Sequence, residues 1–287
     1  MSEPMITSII PTKDEAIHIE RCVRSLLPLG RVVVVDSQSG DGTVDRARHA
    51  GADVFVHAWE GYAAQKNWAL NNTNVDTPWI LLMDADEFLT DETRRAIHDA
   101  TQKGDAVGYW LPRRLVFLGR ELRYAWWYPD FQLRLVRTGT ALFEPRQVHE
   151  HLVVNGPVKE LRADIWHENL KGLTAFVGRL NRYAMLEARE FDSPSPDIRA
   201  GSFRGNWAER RRALKSRVWM RLPGRPFIRF CWLYVVRQGF RDGYEGLVFC
   251  ALTAGCDLLM NAMLFERRAE RRPRHYSVSK PHPRARS

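Results

Sequence analysis

Cysteine is scarce in this sequence. Four cysteines occur among 287 residues, and no two of them have the spacing of a metal-binding pair; they are Cys22, Cys231, Cys250 and Cys256. Small domains that depend on disulfides are rich in cysteine, and cysteine zinc sites need closely spaced pairs. The scarcity therefore excludes a disulfide scaffold and a cysteine zinc site, and it predicts reduced, packed thiols in a cytosolic protein.

Glycine-rich phosphate loops are also missing. The first apolar segment, residues 6–11, runs into Thr12-Lys13-Asp14 without a G-x-G-x-x-G motif, and no P-loop motif occurs in the chain. Both motifs bind phosphate through backbone amides, so their absence disfavours a dinucleotide-binding fold and a nucleotide-sugar pyrophosphorylase. We expect no signal peptide either, because residues 1–4 lack a basic region ahead of the first strand.

Acidic residues are outnumbered by basic ones, 34 against 43, which gives a net charge of +9. This balance favours an anionic partner: a nucleotide, nucleic acid or an anionic membrane. Nucleic-acid binding is the weaker alternative, because no recognised module occurs and many basic residues lie on apolar segments beside tryptophan. With 45% hydrophobic residues, the chain can bury the core of one or two domains.

Short apolar segments alternate with helical ones over the first hundred residues. The sequence predicts strands at residues 6–11, 32–35, 53–57 and 79–83, and helices at 15–27, 43–50 and 64–71. This alternation is typical of βαβ units. Right-handed crossovers bring the carboxyl ends of the four strands to one edge. We therefore predict an α/β fold with a mainly parallel sheet flanked by helices.

Two carboxylates, Asp84 and Asp86, follow the fourth predicted strand. Residues i and i+2 of an extended segment face the same way, and like charges held this close need a cation or hydrogen bonds to answer them. Hard oxygen ligands favour Mg²⁺ or Mn²⁺, often shared with substrate phosphate. The motif therefore predicts a site for Mg²⁺ or Mn²⁺. The alternative is that the two aspartates simply end a strand and precede a helix whose first turn is rich in acidic residues.

A polar loop follows the second predicted strand, with the sequence Asp36-Ser37-Gln38-Ser39-Gly40-Asp41-Gly42-Thr43. Asp36 stands where a strand-end carboxylate can accept hydrogen bonds from a nucleoside. The same run of turn-forming residues also suits an ordinary loop in which Asp41 or Thr43 caps the next helix. The residues alone leave both interpretations open.

Four motifs in order resemble glycosyltransferase family 2: residues 10–15, IPTKDE; 34–43, VVDSQSGDGT; Gln65-Lys66-Asn67; and Asp84-Ala85-Asp86. The resemblance covers roughly residues 5 to 170 and is greatest to lipopolysaccharide-core glucosyltransferases of the WaaE type. It implies a GT-A fold and an enzyme that inverts the anomeric centre of a nucleotide-sugar donor. A UDP-sugar carrying a hexose is the expected donor, and a saccharide or lipid-linked molecule is the expected acceptor.

The resemblance also implies roles for individual residues. Glu15 and Asp36 would contact the nucleoside, Lys66 the uracil or diphosphate, and Asp84 the ribose or sugar hydroxyls. Asp86 would ligate the divalent cation that neutralises the departing diphosphate. The predicted substrate-binding set is Pro11, Thr12, Glu15, Asp36, Ser37, Lys66, Asp84 and Ala85.

Inverting transfer to a hydroxyl needs a general base, usually a carboxylate. Asp130 follows an aromatic run, whereas family members carry the base in a Glu-Asp pair that opens a helix. Glu150 lies in a Val-His-Glu stretch shared with the lipopolysaccharide-core branch, and His149 beside it would ligate metal or diphosphate. Asp130 and Glu150 both remain candidates. Transfer to polyprenyl phosphate is the runner-up, because a phosphate nucleophile needs little or no base.

The C-terminal part has helical periodicity and a different character. We predict a catalytic domain at residues 1–165, a helical, basic and aromatic region at 166–268 and a disordered basic tail at 269–287. Residues 207–221 and 227–240 combine arginine with tryptophan or other aromatics, which is typical of in-plane contact with an anionic membrane. Packing of the first of these helices on the catalytic domain is the alternative.

One further segment, residues 246–265, is long enough to span a bilayer. Asp257 lies inside it, and a central aspartate costs about 2.5–3.5 kcal/mol on insertion scales. We therefore expect a buried or interfacial helix, and a protein peripheral to the inner face of the cytoplasmic membrane.

Overall fold

The computed structural model describes residues 5–143, 152–192, 222 and 224–270. Its strands are β1 Ile6–Thr12, β2 Gly30–Asp36, β3 Asp53–Val56, β4 Trp79–Leu82, β5 Glu87–Leu89, β6 Gly108–Phe117, β7 Arg120–Leu122, β8 Asp130–Arg137, β9 Ala141–Phe143, β10 Leu152–Val154, β11 Val158–Glu160 and β12 Ile165–Glu168. Its α-helices are α1 Ile19–Leu26, α2 Thr43–His49, α3 Tyr62–Asn72, α4 Asp91–Lys103, α5 Gly172–Asp192, α6 Arg225–Cys231 and α7 Gly243–Glu270.

Ten of the described strands form one curved sheet with the order β3-β2-β1-β4-β8-β6-β12-β5, and β7 and β11 pair with β6. The first four strands of this order are parallel. The next two pairs, β4 with β8 and β8 with β6, are antiparallel. The predicted α/β fold is therefore confirmed, and the carboxyl ends of β1, β2 and β4 lie side by side.

The central strands are buried on both faces. Neighbouring residues of β1, Ile9 and Ile10, belong to different apolar clusters, because side chains alternate along a strand. One cluster includes Ile19 and Val23 of α1, and the other includes Ala69 of α3. Parallel sheets need such cover on each face, so the apolar runs of the sequence become the centre of the sheet.

The last strand, β12, pairs in parallel with β6 and antiparallel with β5. The sheet therefore continues to Glu168, three residues past the predicted domain boundary. The chain divides into two compact units: residues 1–176 with 232–250, and residues 177–231 with 251–287. In the second unit, Ala184 and Ala188 of α5 pack with Met260 and Leu264 of α7.

Helical structure dominates after β12. α6 is followed by a π-helical turn, Trp232–Val236, and a 3₁₀ turn, Gly239–Asp242, before α7 begins. Among the described residues one stretch, Gly239–Glu270, has the length and apolar composition of a membrane span. The predicted helix at residues 207–221 and all but the first two residues of the predicted tail lie outside the described residues.

Candidate active site

Side chains at the ends of β1 and β2 are tied to one another. The carboxylate of Asp36 is fully buried and accepts hydrogen bonds from the Thr12 hydroxyl at 3.2 Å and from the amide and hydroxyl of Ser39 at 2.8 and 2.5 Å. The amide of Ser37 donates to the carbonyl of Thr12 at 2.9 Å. Asp36 thus organises the loop after β2, and its predicted contact with a nucleoside stays a prediction.

Glu15 begins the turn that leads into α1. One carboxylate oxygen contacts Nδ1 of the buried His18 at 2.6 Å, and the other accepts a hydrogen bond from Lys171 at 2.6 Å. The backbone amide of Glu15 donates to the Thr43 hydroxyl at 2.8 Å. This predicted nucleoside ligand is thereby held between the first loop, α2 and the residues after β12.

Asp84, at the carboxyl end of β4, belongs to a charged network that crosses the sheet. Nη2 of Arg134 on β8 donates to Asp84 at 2.6 Å and to Glu87 at 2.7 Å. Arg113 on β6 lies 3.7 Å from Glu87 and donates two hydrogen bonds to Asp130, at 2.9 and 2.7 Å. The network connects the strand-end aspartate to one of the two candidate bases.

Charge balance fixes the ionisation of this network. Desolvation would raise the pKa of Asp84, but the positive charges of Arg134 and Lys66 outweigh it and hold that pKa well below its usual range. The side chain of Glu87 is fully buried, and this desolvation raises its pKa despite Arg134. Asp84 is therefore an anion at neutral pH, and Glu87 relies on its two arginines for stabilisation.

Asp86 faces a histidine that the sequence analysis did not single out. Nε2 of His167 on β12 lies 3.0 Å from Oδ2 of Asp86, and the Asn169 amide donates to the same oxygen at 3.0 Å. Desolvation opposes ionisation of Asp86, yet the hydrogen bond and charge of His167 lower its pKa well below the ordinary value. Nδ1 of His167 is buried and has no hydrogen-bond partner among the residues that the structure describes.

The chemistry of this pair suits a divalent cation. Among the described residues no group of three or more His, Cys, Asp or Glu side chains could hold a metal. Mg²⁺ in nucleotide sites is commonly held by one or two carboxylates together with substrate phosphate and water. Imidazole is a ligand for many transition metals. An ionised carboxylate beside an imidazole therefore fits the protein's share of such a site.

A cavity of about 120 Å³ opens beside Asp84. Pro11 and Lys66 line one part of it, and Arg134 lines another. The ammonium group of Lys66 lies 5.1 Å from the centre of the Phe143 ring. The complete lining is Pro11, Lys66, Leu82, Met83, Asp84, Trp110, Gln132, Leu133, Arg134, Phe143 and Leu152. Of the predicted substrate-binding residues, the cavity thus brings together Pro11, Lys66 and Asp84.

The remaining predicted residues have different surroundings. Ala85 is buried between the two aspartates. Asp130 begins β8, where both of its oxygens are engaged, because Gln132 donates to the oxygen that Arg113 does not contact, at 3.0 Å. His149 and Glu150 lie outside the described residues, so their predicted roles stay predictions.

Sequence reasoning missed four residues of this site: Glu87, Arg134, His167 and Asn169. Glu87 stands three positions after Asp84, and only its complete burial sets it apart from an ordinary helix-start acid. Arg134 lies on β8 between two apolar residues, Leu133 and Leu135, and a charged residue in such a strand was a usable signal. The positions of His167 and Asn169 gave no comparable signal, because they depend on the pairing of β12.

Comparison with known proteins identifies the family of this chain. Residues 7–146 match the model of the family described as glycosyl transferase family 2. The fold is GT-A and the protein is a glycosyltransferase. It belongs to glycosyl transferase family 2.

Relatives extend the similarity over much of the chain. A lipopolysaccharide core biosynthesis glycosyltransferase, LpsC of Rhizobium meliloti, is 31% identical over 201 residues, which are 64% of this chain and 70% of the relative. A glycosyltransferase of Rickettsia prowazekii is 40% identical over 272 residues, 90% of this chain and 86% of the relative. The match to one from Rickettsia bellii, 44% identical, spans 31% of that relative's length.

Solved structures are similar at lower identity. S. aureus TarS 1–349 in complex with UDP-GlcNAc is 14% identical, with a TM-score of 0.45 and coverage of 94% of this chain and 93% of that one. Glucosyl-3-phosphoglycerate synthase from Mycobacterium tuberculosis, in complex with Mn²⁺, UDP and phosphoglyceric acid, is 15% identical. Its TM-score is 0.42, and the match covers 69% and 81% of the two chains.

Proposed function

We propose that this protein is an inverting, metal-dependent glycosyltransferase that moves a hexose from a UDP-sugar to a saccharide or lipid-linked acceptor. The observation that carries the proposal is the pairing of Asp86 with His167 beside the Asp84–Arg134 ion pair and the cavity. Ligands of open α/β sheets collect at the carboxyl ends of the strands. A nucleotide sugar bound there would meet carboxylates for its hydroxyls and cations for its phosphates.

The donor would be recognised by groups of two kinds. Lys66 supplies positive charge at the cavity for a phosphate oxygen, and Asp84 supplies an ionised acceptor for sugar or ribose hydroxyls. Pro11, Thr12, Glu15, Asp36, Ser37 and Ala85 complete the proposed donor contacts. Arg134 keeps Asp84 ionised and oriented, so the acceptor oxygens are in place before the donor binds.

Asp86 and His167 would hold Mg²⁺ or Mn²⁺, with His149 as a further candidate ligand. A bound cation supplies Lewis-acid stabilisation of the departing diphosphate. Asn169 holds the carboxylate of Asp86 in position by its hydrogen bond, which is the ordinary task of groups behind a metal ligand.

The acceptor side needs a base for a hydroxyl nucleophile, and we propose Asp130 with Glu150 as the alternative. Both oxygens of Asp130 already accept hydrogen bonds, from Arg113 and from Gln132, so a nucleophile's proton must compete with these donors for the carboxylate. This observation keeps the second candidate function, transfer to polyprenyl phosphate, because that nucleophile needs little base. The two functions differ in whether a neutral variant of Asp130 or Glu150 stops turnover.

We propose that the acceptor belongs to cell-envelope glycan synthesis of the lipopolysaccharide-core kind, at the cytoplasmic face of the membrane. The name of the Rhizobium meliloti relative supports the pathway. Five exposed apolar side chains near the start of α7 support a peripheral membrane contact: Trp232, Val235, Val236, Phe240 and Tyr244. The net charge of +9 would favour an anionic leaflet.

A donor screen tests the proposal. Release of the nucleotide, UDP, GDP or CMP, is followed with a panel of UDP-, GDP- and CMP-linked sugars, each with Mg²⁺, Mn²⁺ or a chelator, in the presence of truncated lipopolysaccharide. We expect turnover with a UDP-hexose that a chelator abolishes, and a product of inverted anomeric configuration. Turnover that survives chelation would contradict the metal requirement, and retained configuration would contradict inversion.

A further inference from the structure

The segment Trp232–Cys250 contacts the loop 123–129, which joins β7 to β8. This loop carries Trp126 and Trp127 and leads directly into Asp130, the candidate base. Gln132, which binds Asp130, also lines the cavity beside Asp84. The loop therefore leads directly into the residues beside this cavity.

Asp242 fixes the first half of the loop. Its carboxylate accepts three hydrogen bonds from consecutive backbone amides, those of Arg123 at 3.1 Å, Tyr124 at 2.9 Å and Ala125 at 2.8 Å. Asp242 is only 3% exposed. A buried carboxylate is costly unless hydrogen bonds satisfy it, and bonds from amides to an ionised acceptor are strong. The aspartate and the loop thus hold each other in one conformation.

Arg237 and Trp232 fix the second half. The guanidinium of Arg237 donates to the carbonyl of Trp126 at 2.7 Å and lies 5.4 and 5.5 Å from the rings of Trp127 and Trp232. These two indoles stack with their centres 4.9 Å apart. Arg237 has no carboxylate partner within the described residues, so its charge is directed to the loop.

Close packing leaves the turn that carries Asp242 little freedom. A Cβ added to Gly239 would lie 2.8 Å from the carbonyl oxygen of Leu233 and 2.9 Å from Sγ of Cys250. Real Cβ atoms do not approach that closely, so glycine is required there. The turn is therefore anchored on its own segment while Asp242 holds the loop.

We propose that Asp242 and Arg237 are positioning residues that shape the loop 123–129 into the acceptor side of the active site, with the exposed face of Trp127 as a stacking surface for an acceptor sugar. Trp127 is 44% exposed although its indole is held by Trp232 and Arg237. A rigid, partly exposed indole presents a large contact area at low entropic cost. The assignment rests on the proposed transfer to an acceptor.

Two variants and a matched control test the assignment. Asp242→Asn keeps the volume but turns an N–H group toward backbone N–H groups, and Arg237→Lys keeps the charge but loses the planar fork. Glu245→Gln is the control, because Glu245 lies on the same segment and faces Arg120 at 3.6 Å instead of the loop. The measurements are UDP affinity with Mn²⁺, hydrolysis of the UDP-hexose without acceptor, transfer to truncated lipopolysaccharide, and hydrogen exchange of amides 123–125.

For Asp242→Asn we expect unchanged UDP affinity and hydrolysis, faster exchange at 123–125, and kcat/KM for the acceptor reduced about 10²-fold, since misplacement of about 1 Å has this effect. Arg237→Lys should lower the same constant about tenfold, and Glu245→Gln should leave it unchanged. If Asp242→Asn does not fold, the acceptor kcat/KM of Arg237→Lys tests the assignment by itself.

Equal losses of hydrolysis and transfer would overturn the assignment, because they indicate a general structural role. If both variants have the same kcat/KM for the acceptor as the wild-type enzyme, the assignment is overturned as well. Absence of any transfer by the wild-type enzyme would instead overturn the proposed function, and the acceptor role of the two residues with it.

Discussion

Arg134 is the residue on which the charge balance at the end of β4 depends. It bridges Asp84 and the fully buried Glu87 and is itself 8% exposed. Removing one partner of a buried ion pair leaves an uncompensated charge, which costs more than the pair contributes. The arginine therefore supports both the position of Asp84 and the stability of the sheet.

Arg134→Met should lower the free energy of unfolding by about 3–5 kcal/mol, because Glu87 would stay buried without its main counter-charge. Urea unfolding measures the loss. Arg137→Met on the same strand is the control. It should lower the free energy of unfolding far less, because Arg137 lies over the uncharged ring of Trp79, 4.9 Å from its centre, and its removal leaves no buried charge behind. The double variant Arg134→Met with Glu87→Gln should recover part of the loss. If Arg134→Met alone is as stable as the wild type, Arg134 is not needed for the stability of the sheet.

The base is the second question at the scale of a residue. Asp130→Asn and Glu150→Gln each keep the shape and remove the carboxylate. The variant of the true base should lose on the order of 10²–10⁴ in turnover to a hydroxyl acceptor while still binding UDP. Single-turnover kinetics with the donor identified in the screen would measure it. If both variants keep wild-type turnover, the result supports the alternative function, transfer to polyprenyl phosphate.

Residues close in sequence to a strand end could be predicted, whereas their distant partners could not. Asp84 and Asp86 follow an apolar run, so their position at the sheet edge needs only local pattern. Arg134 and His167 reach the same edge from 50 and 81 positions further along the chain. Their contacts depend on the register of β8 and β12, and no local pattern in one sequence fixes that register.

At the scale of elements, α7 shows how an apolar helix accommodates a charge. Asp257, which weighed against a membrane span, is bound by both Nε and Nη2 of Arg229 and lies 3.9 Å from the buried Arg225. The paired charge costs less to bury than an isolated aspartate. Length and apolar composition alone suggested a span, and the ion pairs of the second unit account for Asp257 without one.

The exposed apolar side chains at residues 232–244 make a membrane prediction testable. The protein should sediment with anionic liposomes, dissociate from them partly in high salt, and not bind neutral liposomes. The reason is that each basic residue near an anionic leaflet contributes about 1 kcal/mol to the free energy of membrane binding. Replacing Arg210, Arg211 and Arg212 with Ser should weaken binding at low salt. Replacing the exposed Val235 and Val236 with Ser should weaken the part of liposome binding that persists in high salt.

Val56→Ser is the matched control for this experiment, since Val56 is 54% exposed on the edge strand β3. It should leave liposome binding unchanged. Equal binding to neutral and anionic vesicles, or extraction by detergent alone, would contradict a peripheral contact and favour a spanning α7. No binding to either would favour packing of the predicted basic helix, residues 207–221, within the protein.

For the whole molecule, the sequence predicts the parallel half of the sheet better than the rest. Alternating strands and helices are local signals, and β1, β2, β3 and β4 form where the pattern indicates. The pairings of β12 with β5 and β6 and the contacts of Asp242 with the loop 123–129 join residues far apart in the chain. Only the folded chain reveals that a C-terminal segment, Trp232–Cys250, packs against the loop that leads into β8.

In the proposed function, Asp86 and His167 hold a divalent cation against the donor diphosphate. The most direct test is calorimetric titration of UDP, with and without Mn²⁺, into the wild-type protein, Asp86→Ala, His167→Ala and the exposed control His98→Ala. We predict that Mn²⁺ strengthens UDP binding to the wild type and to His98→Ala, and that both site variants lose this gain while keeping metal-independent binding. A full Mn²⁺-dependent gain in either site variant would contradict the claim.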